Sequence, residues 1–487
     1  MNSVLEKDLV KKVKAPDIFD PQNFIGIQTE YLLATGSYSR RIHFDSAASC
    51  LAFGPAYYAA GRYLEHYSNT HSDAHFSAKI STSLFRWSQG EVGKFVAADD
   101  QDYVVLYSGN GATGAINRAS RLLTQLHPEK RTVLISVMEH HSNDLPHREN
   151  HDQYFHIPCV GNGSEAGQIC LSALENLLIK HKDQISYVAV TGASNVTGIV
   201  NPIHDIAALA HKYNTLVLVD ASQMIAHKRV QMSDDGSRER SIDALCFSGH
   251  KIYSPGSPGV LVVRKDLIAD LAPSEFGGGM VDSVFTSDFI VNNNLPEREE
   301  AGTPNIYGAI LLGCTLYTIR RAGFDRIAEH EALLLNKLLD ELPRIPGVKV
   351  YGSLTIPRTG TVSFNLLGID HELLARILND YFNIAVRNQC FCAHPYVREL
   401  ILKELWDLDP DLTVEEIEAK KGMVRVSLAL YNTVQDIDLL LNAIRKIGQE
   451  SADFTRNYIL QEDGSYKNVN FVSESRFDIE QVLDECF

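Results

Sequence analysis

The stretch ALCFSGHK, residues 244–251, joins a short apolar run to a lysine at its end. A continuous apolar run of this length is typical of a strand that is covered on both faces. The turn cluster YSPG, residues 253–256, indicates that the strand ends close to Lys251. A lysine in that position is either a surface residue with a buried stem or a functional amine, because a desolvated amine has a lowered pKa and forms Schiff bases.

Similar apolar runs lie on both sides of this stretch and alternate with helical patterns. The predicted strands are residues 103–107, 133–137, 187–190, 216–219, 244–247 and 260–263, and the predicted helices between them include 113–126 and 206–213. Buried strands separated by helices predict an α/β domain with a parallel sheet that helices cover on both faces.

The pattern changes after Gly302-Thr303-Pro304. The sequence predicts a long helical region at residues 310–342, strands at 361–366, 384–386 and 424–430, and helices at 371–381 and 434–447. Strands and helices mixed in this way indicate a second, smaller α+β domain. The charged segment 405–421 is interpreted as an insertion, and the polar tail beyond residue 450 receives no assignment.

Composition restricts the partners and the location of the 487-residue chain, which has a formal net charge of −16. That charge argues against binding to nucleic acid or to an anionic membrane surface. The longest apolar stretch, near residues 309–313, is too short to span a membrane, and residues 1–19 do not resemble a signal peptide. Eight cysteines without a Cys-x-x-Cys pair predict a cytoplasmic protein without a zinc ribbon.

Two further features lie where predicted strands end. Asp220 follows the run 216–219 and precedes Lys251 by 31 residues, and ligands of open parallel sheets bind at such strand ends. A carboxylate there is suited to hold the proton of a cofactor pyridinium nitrogen, although it also suits a helix cap. The turn GNGAT, residues 109–113, is either a phosphate site at a helix N-terminus or only a tight loop.

The pair His140-His141 follows the predicted strand 133–137. An imidazole at a strand end is suited to stack on a planar ring and to transfer protons. Zinc binding is the alternative, but sequence neighbours point to different faces and no third ligand is suitably spaced. We therefore expect no metal.

Together these motifs resemble the group II cysteine desulfurases, which belong to the class V aminotransferases, and their order and spacing match over about residues 40–450. The matching segments are GNGATGAIN at 109–117, EHHSN at 139–143, ASNVTG at 193–198, VDASQ at 219–223, SGHK at 248–251, FGGGM at 276–280, EAGTPN at 300–305 and RVSLALYNT at 425–433. The resemblance implies a pyridoxal-phosphate enzyme of fold type I, with a mostly parallel seven-stranded sheet in its large domain. It also implies a homodimer with two shared active sites.

The resemblance further implies boundaries and roles. The expected parts are an N-terminal segment 1–40 that joins the small domain, a large cofactor-binding domain at 41–308, a small domain at 309–450, and a tail at 451–487 of unknown role. Matched by position, Lys251 is the Schiff-base lysine and Asp220 the pyridinium partner. The other implied cofactor contacts are Gln223 and Asn195 near the ring hydroxyl, His140 stacked on the ring, Thr113, Ser248 and His250 at the phosphate, and Thr303 at the phosphate of the neighbouring subunit.

Two arginines are implied to contact the substrate. Arg425 matches the arginine that holds the substrate α-carboxylate, and a guanidinium fork suits that role, although an ordinary ion pair is the alternative. Arg387 matches an arginine that precedes the reactive cysteine of the family by five residues.

The stretch RNQCFCAHP, residues 387–395, corresponds to the family sequence RTGHHCA. Cys392 matches the sulfur acceptor, whereas Cys390 and Phe391 replace two histidines. The Cys-Phe-Cys triplet and NTHS at 69–72 resemble the molybdenum-cofactor sulfurases instead, but those carry a C-terminal domain that the residues after 450 are too few to form. If the loop is extended, both thiols face the mouth of the site.

The leading functional hypothesis is conversion of L-cysteine to L-alanine, with sulfur transferred to Cys392 as a persulfide and then to an acceptor protein. The alternative is another class V reaction, by an epimerase, a β-lyase or an aminotransferase, for which Cys392 is dispensable. A non-catalytic scaffold is a third hypothesis, and the presence of Lys251, Asp220 and the phosphate residues argues against it.

Overall fold

The computed structural model describes residues 17–408, 413, 422–473 and 477–486. Its strands are β1 Glu30–Leu32, β2 Tyr38–Arg40, β3 Ile42–His43, β4 Tyr103–Ser108, β5 Thr132–Ser136, β6 Gln153–Ile157, β7 Ile185–Thr191, β8 Leu216–Asp220, β9 Ala244–Ser248, β10 Gly259–Arg264, β11 Val281–Val284, β12 Phe289–Val291, β13 Val348–Tyr351, β14 Thr361–Leu366, β15 Ile384–Ala385, β16 Arg387–Gln389, β17 Met423–Ser427, β18 Tyr458–Leu460 and β19 Tyr466–Asn468. The helices are α1 Gly54–Tyr63, α2 Phe76–Phe95, α3 Gly111–Leu126, α4 Leu145–Glu149, α5 Leu171–Lys180, α6 Ile203–Lys212, α7 Lys265–Ile268, α8 Ile306–Ala322, α9 Phe324–Glu341, α10 His371–Phe382, α11 His394–Leu408, α12 Val434–Gln449, α13 Ser451–Thr455 and α14 Ile479–Asp484.

A seven-stranded sheet with the order β4-β10-β9-β8-β7-β5-β6 forms the centre of the larger domain. Every residue of β5, β7, β9 and β10 is buried, as expected for strands between two helical layers. Strand β10 is antiparallel to both of its neighbours, because no crossover helix separates it from β9. The predicted α/β fold with a mostly parallel seven-stranded sheet is therefore confirmed.

One strand of this sheet is absent from the sequence prediction. Strand β6 pairs only with β5, at the edge of the sheet, and its first two residues are exposed. Its sequence, QYFHI, mixes polar and apolar residues and lacks the continuous apolar run of the interior strands. An edge strand has less surface to bury, so its sequence signal is weaker.

The long helical region predicted at residues 310–342 is two helices, α8 and α9, which are separated at Gly323. That glycine has a φ of 91°, in the region that residues with a side chain rarely adopt. Helix α8 packs against α1 and α2 and contributes Leu311, Leu312 and Leu316 to the core that surrounds the large sheet.

The smaller domain has a four-stranded antiparallel sheet with the order β13-β14-β17-β16. Helices α9, α10 and α12 pack with this sheet in a second core. Strand β3 pairs with β15, and Ile42 and Phe44 are buried in the same core. Residues from before and after the large sheet thus build the α+β domain, while the domain boundaries remain predictions.

Part of the tail belongs to this second core. Phe454 and Tyr458 are buried in it, and the Tyr458 hydroxyl donates a 2.8 Å hydrogen bond to Oδ2 of Asp380 on α10. The predicted insertion at 405–421 lies largely outside the described residues. Among the helices that the structure does describe, none combines the length and the apolar character that crossing a membrane requires.

Candidate active site

A cavity of about 520 Å³ lies at the carboxyl ends of the central strands, and the smaller domain closes one side of it. It brings together ten of the twelve predicted site residues: Thr113, His140, Asn195, Asp220, Ser248, His250, Lys251, Arg387, Cys392 and Arg425. The carboxyl ends of β8 and β9 deliver Asp220 and the turn that carries Lys251. Ligands of open α/β sheets bind at such ends.

The Lys251 amine and the Asp220 carboxylate form an electrostatically coupled pair. Burial lowers the pKa of Lys251 from its usual value, and the negative charge of Asp220 partly opposes this effect. Asp220 is buried, and its Oδ1 accepts a 2.9 Å hydrogen bond from the amide of Ser222. A lysine with a lowered pKa is a better nucleophile towards a carbonyl at neutral pH.

His140 is held as a neutral imidazole. Burial and the nearby positive charge of Lys251 lower the pKa of His140 to about 3. The amide of Ser142 donates a 3.1 Å hydrogen bond to Nδ1, so the proton of the neutral ring lies on Nε2. A neutral ring in this position suits stacking on a planar, electron-poor ligand.

The beginning of helix α3 provides the anion-binding end of the cavity. Ser248 Oγ accepts a 2.6 Å hydrogen bond from the Ala112 amide, and the hydroxyls of Thr113 and Ser142 are 2.7 Å apart. His250 lies beside them, and burial lowers its pKa to about 4. The N-terminus of a helix and hydroxyl donors together favour a phosphate.

Two glycines bring this helix close to the sheet. Gly111, the first residue of α3, has a φ of 59°. A Cβ atom on Gly259 of β10 would lie 1.8 Å from the carbonyl oxygen of Gly111, far inside any possible contact. The anion-binding end therefore depends on direct contact between two backbones.

Arg425 on β17 provides the positive charge at the opposite side of the cavity. Its side chain is 3% exposed, Nη1 donates a 2.8 Å hydrogen bond to the Asn195 carbonyl, and Nη2 lies 3.4 Å from Oδ1 of Asp45. Burial lowers the pKa of Arg425 to about 10, so the guanidinium stays charged at neutral pH. Its Nε is buried and has no hydrogen-bond partner in the described part of the chain. An orphaned buried donor of this kind fits a ligand carboxylate.

Arg387 is opposite Arg425 in the β16–β17 pairing. Its side chain is 55% exposed, and its Nε lies 3.8 Å from Oδ2 of Asp45. Asp45 therefore lies between the two arginines and balances part of their charge.

Cys392 and Cys390 have different environments. Gln389, Phe391 and Cys392 have φ values of 84°, 51° and 54°, so the loop is not extended. Cys392 is exposed and lines the cavity, whereas Cys390 is buried. Only an extended loop would place both thiols at the mouth of the site, and this loop is not extended, because left-handed residues reverse the direction of the chain between them.

Two of the predicted site residues do not line this cavity. The Gln223 amide donates a 2.7 Å hydrogen bond to the Ala47 carbonyl. Thr303 is exposed and accepts a 3.3 Å hydrogen bond from Asn69. The assigned roles of both residues remain predictions.

The sequence interpretation did not include three residues that organise the site. Asp45 contacts both arginines, Ser142 hydrogen-bonds with both His140 and Thr113, and the Phe391 ring covers Arg425. Asp45 carried a weak signal, since it follows the short segment Ile42-His43-Phe44 much as Asp220 follows the apolar run 216–219. For Ser142 and Phe391, the sequence contains no such signal beyond their places in the matched segments.

The fold and the arrangement of the site define the class of protein. Residues 42–440 match the aminotransferase class V family, so the chain belongs to that family, whose members are pyridoxal-phosphate-dependent enzymes.

Within the family, the chain is similar to cysteine desulfurases. It is 30% identical to the cysteine desulfurase of Salmonella typhi over 83% of this chain and 93% of that protein. It is 32% identical to the probable cysteine desulfurase 1 of Mycobacterium leprae over 80% of this chain, a match that spans only 58% of that longer protein. The solved cysteine desulfurase of Thermococcus onnurineus superimposes with a TM-score of 0.72 and 27% identity, over 84% of this chain and 95% of that one. The cysteine desulfurase CsdA of Escherichia coli has a TM-score of 0.69 and 26% identity, over 88% and 96%.

Proposed function

We propose that this chain is a cysteine desulfurase that holds pyridoxal phosphate on Lys251 and transfers the sulfur of L-cysteine to Cys392. One observation carries the proposal: the exposed Cys392 thiol lines the same cavity as the Lys251 amine and the Arg425 guanidinium. The names of the similar proteins support the same reaction.

The residues of the cavity fit this cofactor. Lys251 is the amine that would hold it, Asp220 the carboxylate for its ring nitrogen, and His140 the neutral ring for its face. The hydroxyl groups at the start of α3 fit the phosphate of the cofactor. The buried Oδ1 of Asn195 has no hydrogen-bond partner among the described residues, so it fits the hydroxyl group of the cofactor ring as a donor. When bound, pyridoxal phosphate withdraws electrons from the substrate Cα and makes its hydrogen acidic.

Each side chain of the cavity has a separate role in the reaction. Arg425 binds the α-carboxylate through the buried Nε that is otherwise without a partner. The Lys251 amine, as a free base, would remove the proton from Cα, and its lowered pKa suits this role. Arg387, at the exposed side, adds positive charge where the substrate enters.

The sulfur step involves only Cys392 and the substrate. The Cys392 thiolate attacks the substrate sulfur, a sulfur–sulfur bond forms, and the bond between that sulfur and Cβ breaks. The electron pair of the broken bond stays with the carbon skeleton, and protons returned by Lys251, or relayed from solvent through His140, complete L-alanine. Cysteine plus a protein thiol thus gives alanine plus a protein persulfide, with no outside oxidant or reductant.

The experiment follows sulfur and carbon together. Protein loaded with pyridoxal phosphate is incubated with L-cysteine and an added thiol, which reduces the persulfide, and alanine and sulfide are measured. The protein mass is determined after one turnover without the added thiol. Cys392→Ser should lose both products and the added sulfur atom, whereas Cys486→Ser, a control at another exposed cysteine, should behave as wild type. Wild-type turnover of an amino acid by Cys392→Ser would replace this proposal with another class V reaction.

We also propose that the enzyme works as a homodimer in which Thr303 reaches the phosphate of the neighbouring subunit. The hairpin β11–β12 and the segment before it expose a group of large apolar side chains, as an unoccupied interface would. These residues are Phe276, Val284, Phe285, Phe289 and Ile290. The exposure of Thr303 supports the same assembly.

A cytoplasmic location and an acceptor protein complete the proposal. None of the eight cysteines, all of which lie within the described residues, forms a disulfide, as expected in a reducing compartment. The exposure of Cys392 would let a partner thiol remove the persulfide sulfur by exchange.

A further inference from the structure

Phe391 lies against the arginine that the proposed function assigns to the substrate carboxylate. The Phe391 side chain is buried, and its ring centroid is 4.6 Å from Cζ of Arg425. A guanidinium over an aromatic face at this distance is a cation–π contact, which is stronger where water is excluded. Phe391 offers the guanidinium no hydrogen bond, so Nε stays without a partner among the described residues and suits a carboxylate.

The backbone of Phe391 is tied to the same arginine by a second route. Its carbonyl oxygen accepts a 2.7 Å hydrogen bond from Nδ2 of Asn195, and the Asn195 carbonyl accepts a 2.8 Å hydrogen bond from Arg425. Ring, backbone and guanidinium therefore form a closed set of contacts. These contacts tie the position of Phe391 to that of Arg425.

The residue after Phe391 is the proposed sulfur acceptor. The carbonyl oxygen of Cys392 accepts a 2.7 Å hydrogen bond from the His141 amide, which fixes the loop on its other side. Both Phe391 and Cys392 have left-handed φ values, a backbone state that persists only where contacts hold it. One short turn thus positions both the carboxylate-binding arginine and the thiol.

We propose that Phe391 is a specificity-determining residue that fixes the separation between the Arg425 guanidinium and the Cys392 thiol. This inference rests on the proposed function and names the substrate class. A fixed separation selects an α-amino acid whose sulfur is on the β-carbon, and it rejects one whose sulfur is one methylene further away. The site should therefore favour L-cysteine over L-homocysteine.

Three variants of Phe391 separate the effect of its aromatic face from the effect of its apolar volume. Phe391→Ala removes both, Phe391→Leu keeps apolar volume without the aromatic face, and Phe391→Tyr keeps both. The exposed Phe477, remote from the cavity lining, provides the control Phe477→Ala. Thermal unfolding of each variant shows that it is folded before any other measurement is interpreted.

The first measurement is binding of L-alanine, which carries the carboxylate but no sulfur. Binding is monitored by the change in the absorbance of the cofactor, and no turnover takes place. Phe391→Ala and Phe391→Leu should weaken L-alanine binding by about 2- to 30-fold, the range given by the loss of one cation–π contact. Phe391→Tyr and Phe477→Ala should bind as wild type does.

The second measurement compares the inhibition constant of L-homocysteine, whose sulfur is on a carbon too far from Cα for the reaction to release it, with KM for L-cysteine. Phe391→Ala should lower the preference for cysteine, and Phe391→Tyr should restore it. Unchanged L-alanine binding and an unchanged preference in Phe391→Ala would overturn the inference. If wild type forms no alanine and no persulfide from L-cysteine, the proposed function fails instead, and the L-alanine titration still decides whether Phe391 positions Arg425.

Discussion

Replacement of Arg425 by lysine tests the proposed carboxylate site most directly. Lysine keeps the positive charge but cannot reach the Asn195 carbonyl, contact Asp45 and bind a carboxylate edge at the same time, as the guanidinium fork does. The substrate should lose at least one charge-assisted hydrogen bond, worth about 1.5–3 kcal/mol. That loss corresponds to a decrease of about 10- to 150-fold in kcat/KM for L-cysteine.

The assay measures initial rates of alanine formation over a range of L-cysteine concentrations. Arg387→Lys is the matched control, because that arginine is on the neighbouring strand and contacts the same Asp45 from a half-exposed position. A partly solvated ion pair contributes little, so this variant should lose less than about 5-fold. No loss of kcat/KM in Arg425→Lys would show that Arg425 does not bind the carboxylate.

Three other variants test the cofactor, the assembly and a buried carboxyl group. Lys251→Ala should lose the visible absorbance of lysine-bound pyridoxal phosphate, and a wild-type protein that never gains this absorbance would contradict the assignment. Phe285→Asp places a charge on the exposed hairpin and should give inactive monomers by size-exclusion chromatography and activity assay, whereas Phe477→Asp should remain a dimer. Glu139 is fully buried, and burial raises its pKa from 4.5 to about 8. Between pH 4.5 and about pH 8 the folded protein therefore binds more protons than the unfolded chain, so its free energy of unfolding decreases as the pH rises. Glu139→Gln should flatten the decrease in melting temperature over this pH range, and an unchanged slope would show that Glu139 is ionised in the folded protein.

The interior of the large sheet was predictable because its strands are buried on both faces. The runs at 187–190 and 244–247 lie inside β7 and β9, and the strand ends that carry Asp220 and Lys251 follow from them. Helices α1 and α2 were missed, although α2 spans Phe76–Phe95. The edge strand β6 was missed because three of its five residues are polar or exposed. The hydrophobic pattern of a local segment predicts a strand well only where nearly all of its residues are buried.

The residues of the site also differ in how far local sequence could predict them. Residues at strand ends were predictable from local sequence, whereas contacts across the domains were not. Asp45 and Arg425 are 380 positions apart, so only the folded chain shows that they form a pair. The loop of Cys392 is a left-handed turn rather than an extended segment, and this turn depends on contacts with His141 and Asn195 that no local pattern contains.

The contact between Gly259 and Gly111 has a consequence for how this sequence can evolve. A side chain on Gly259 would collide with backbone atoms of Gly111 rather than with another side chain. Most overpacked positions can be relieved by a smaller neighbour elsewhere, but a peptide carbonyl cannot be made smaller by substitution. Gly259 therefore has no compensating partner, so its replacement is not reversible by a second mutation, and a laboratory-evolved population should retain glycine there while neighbouring residues change.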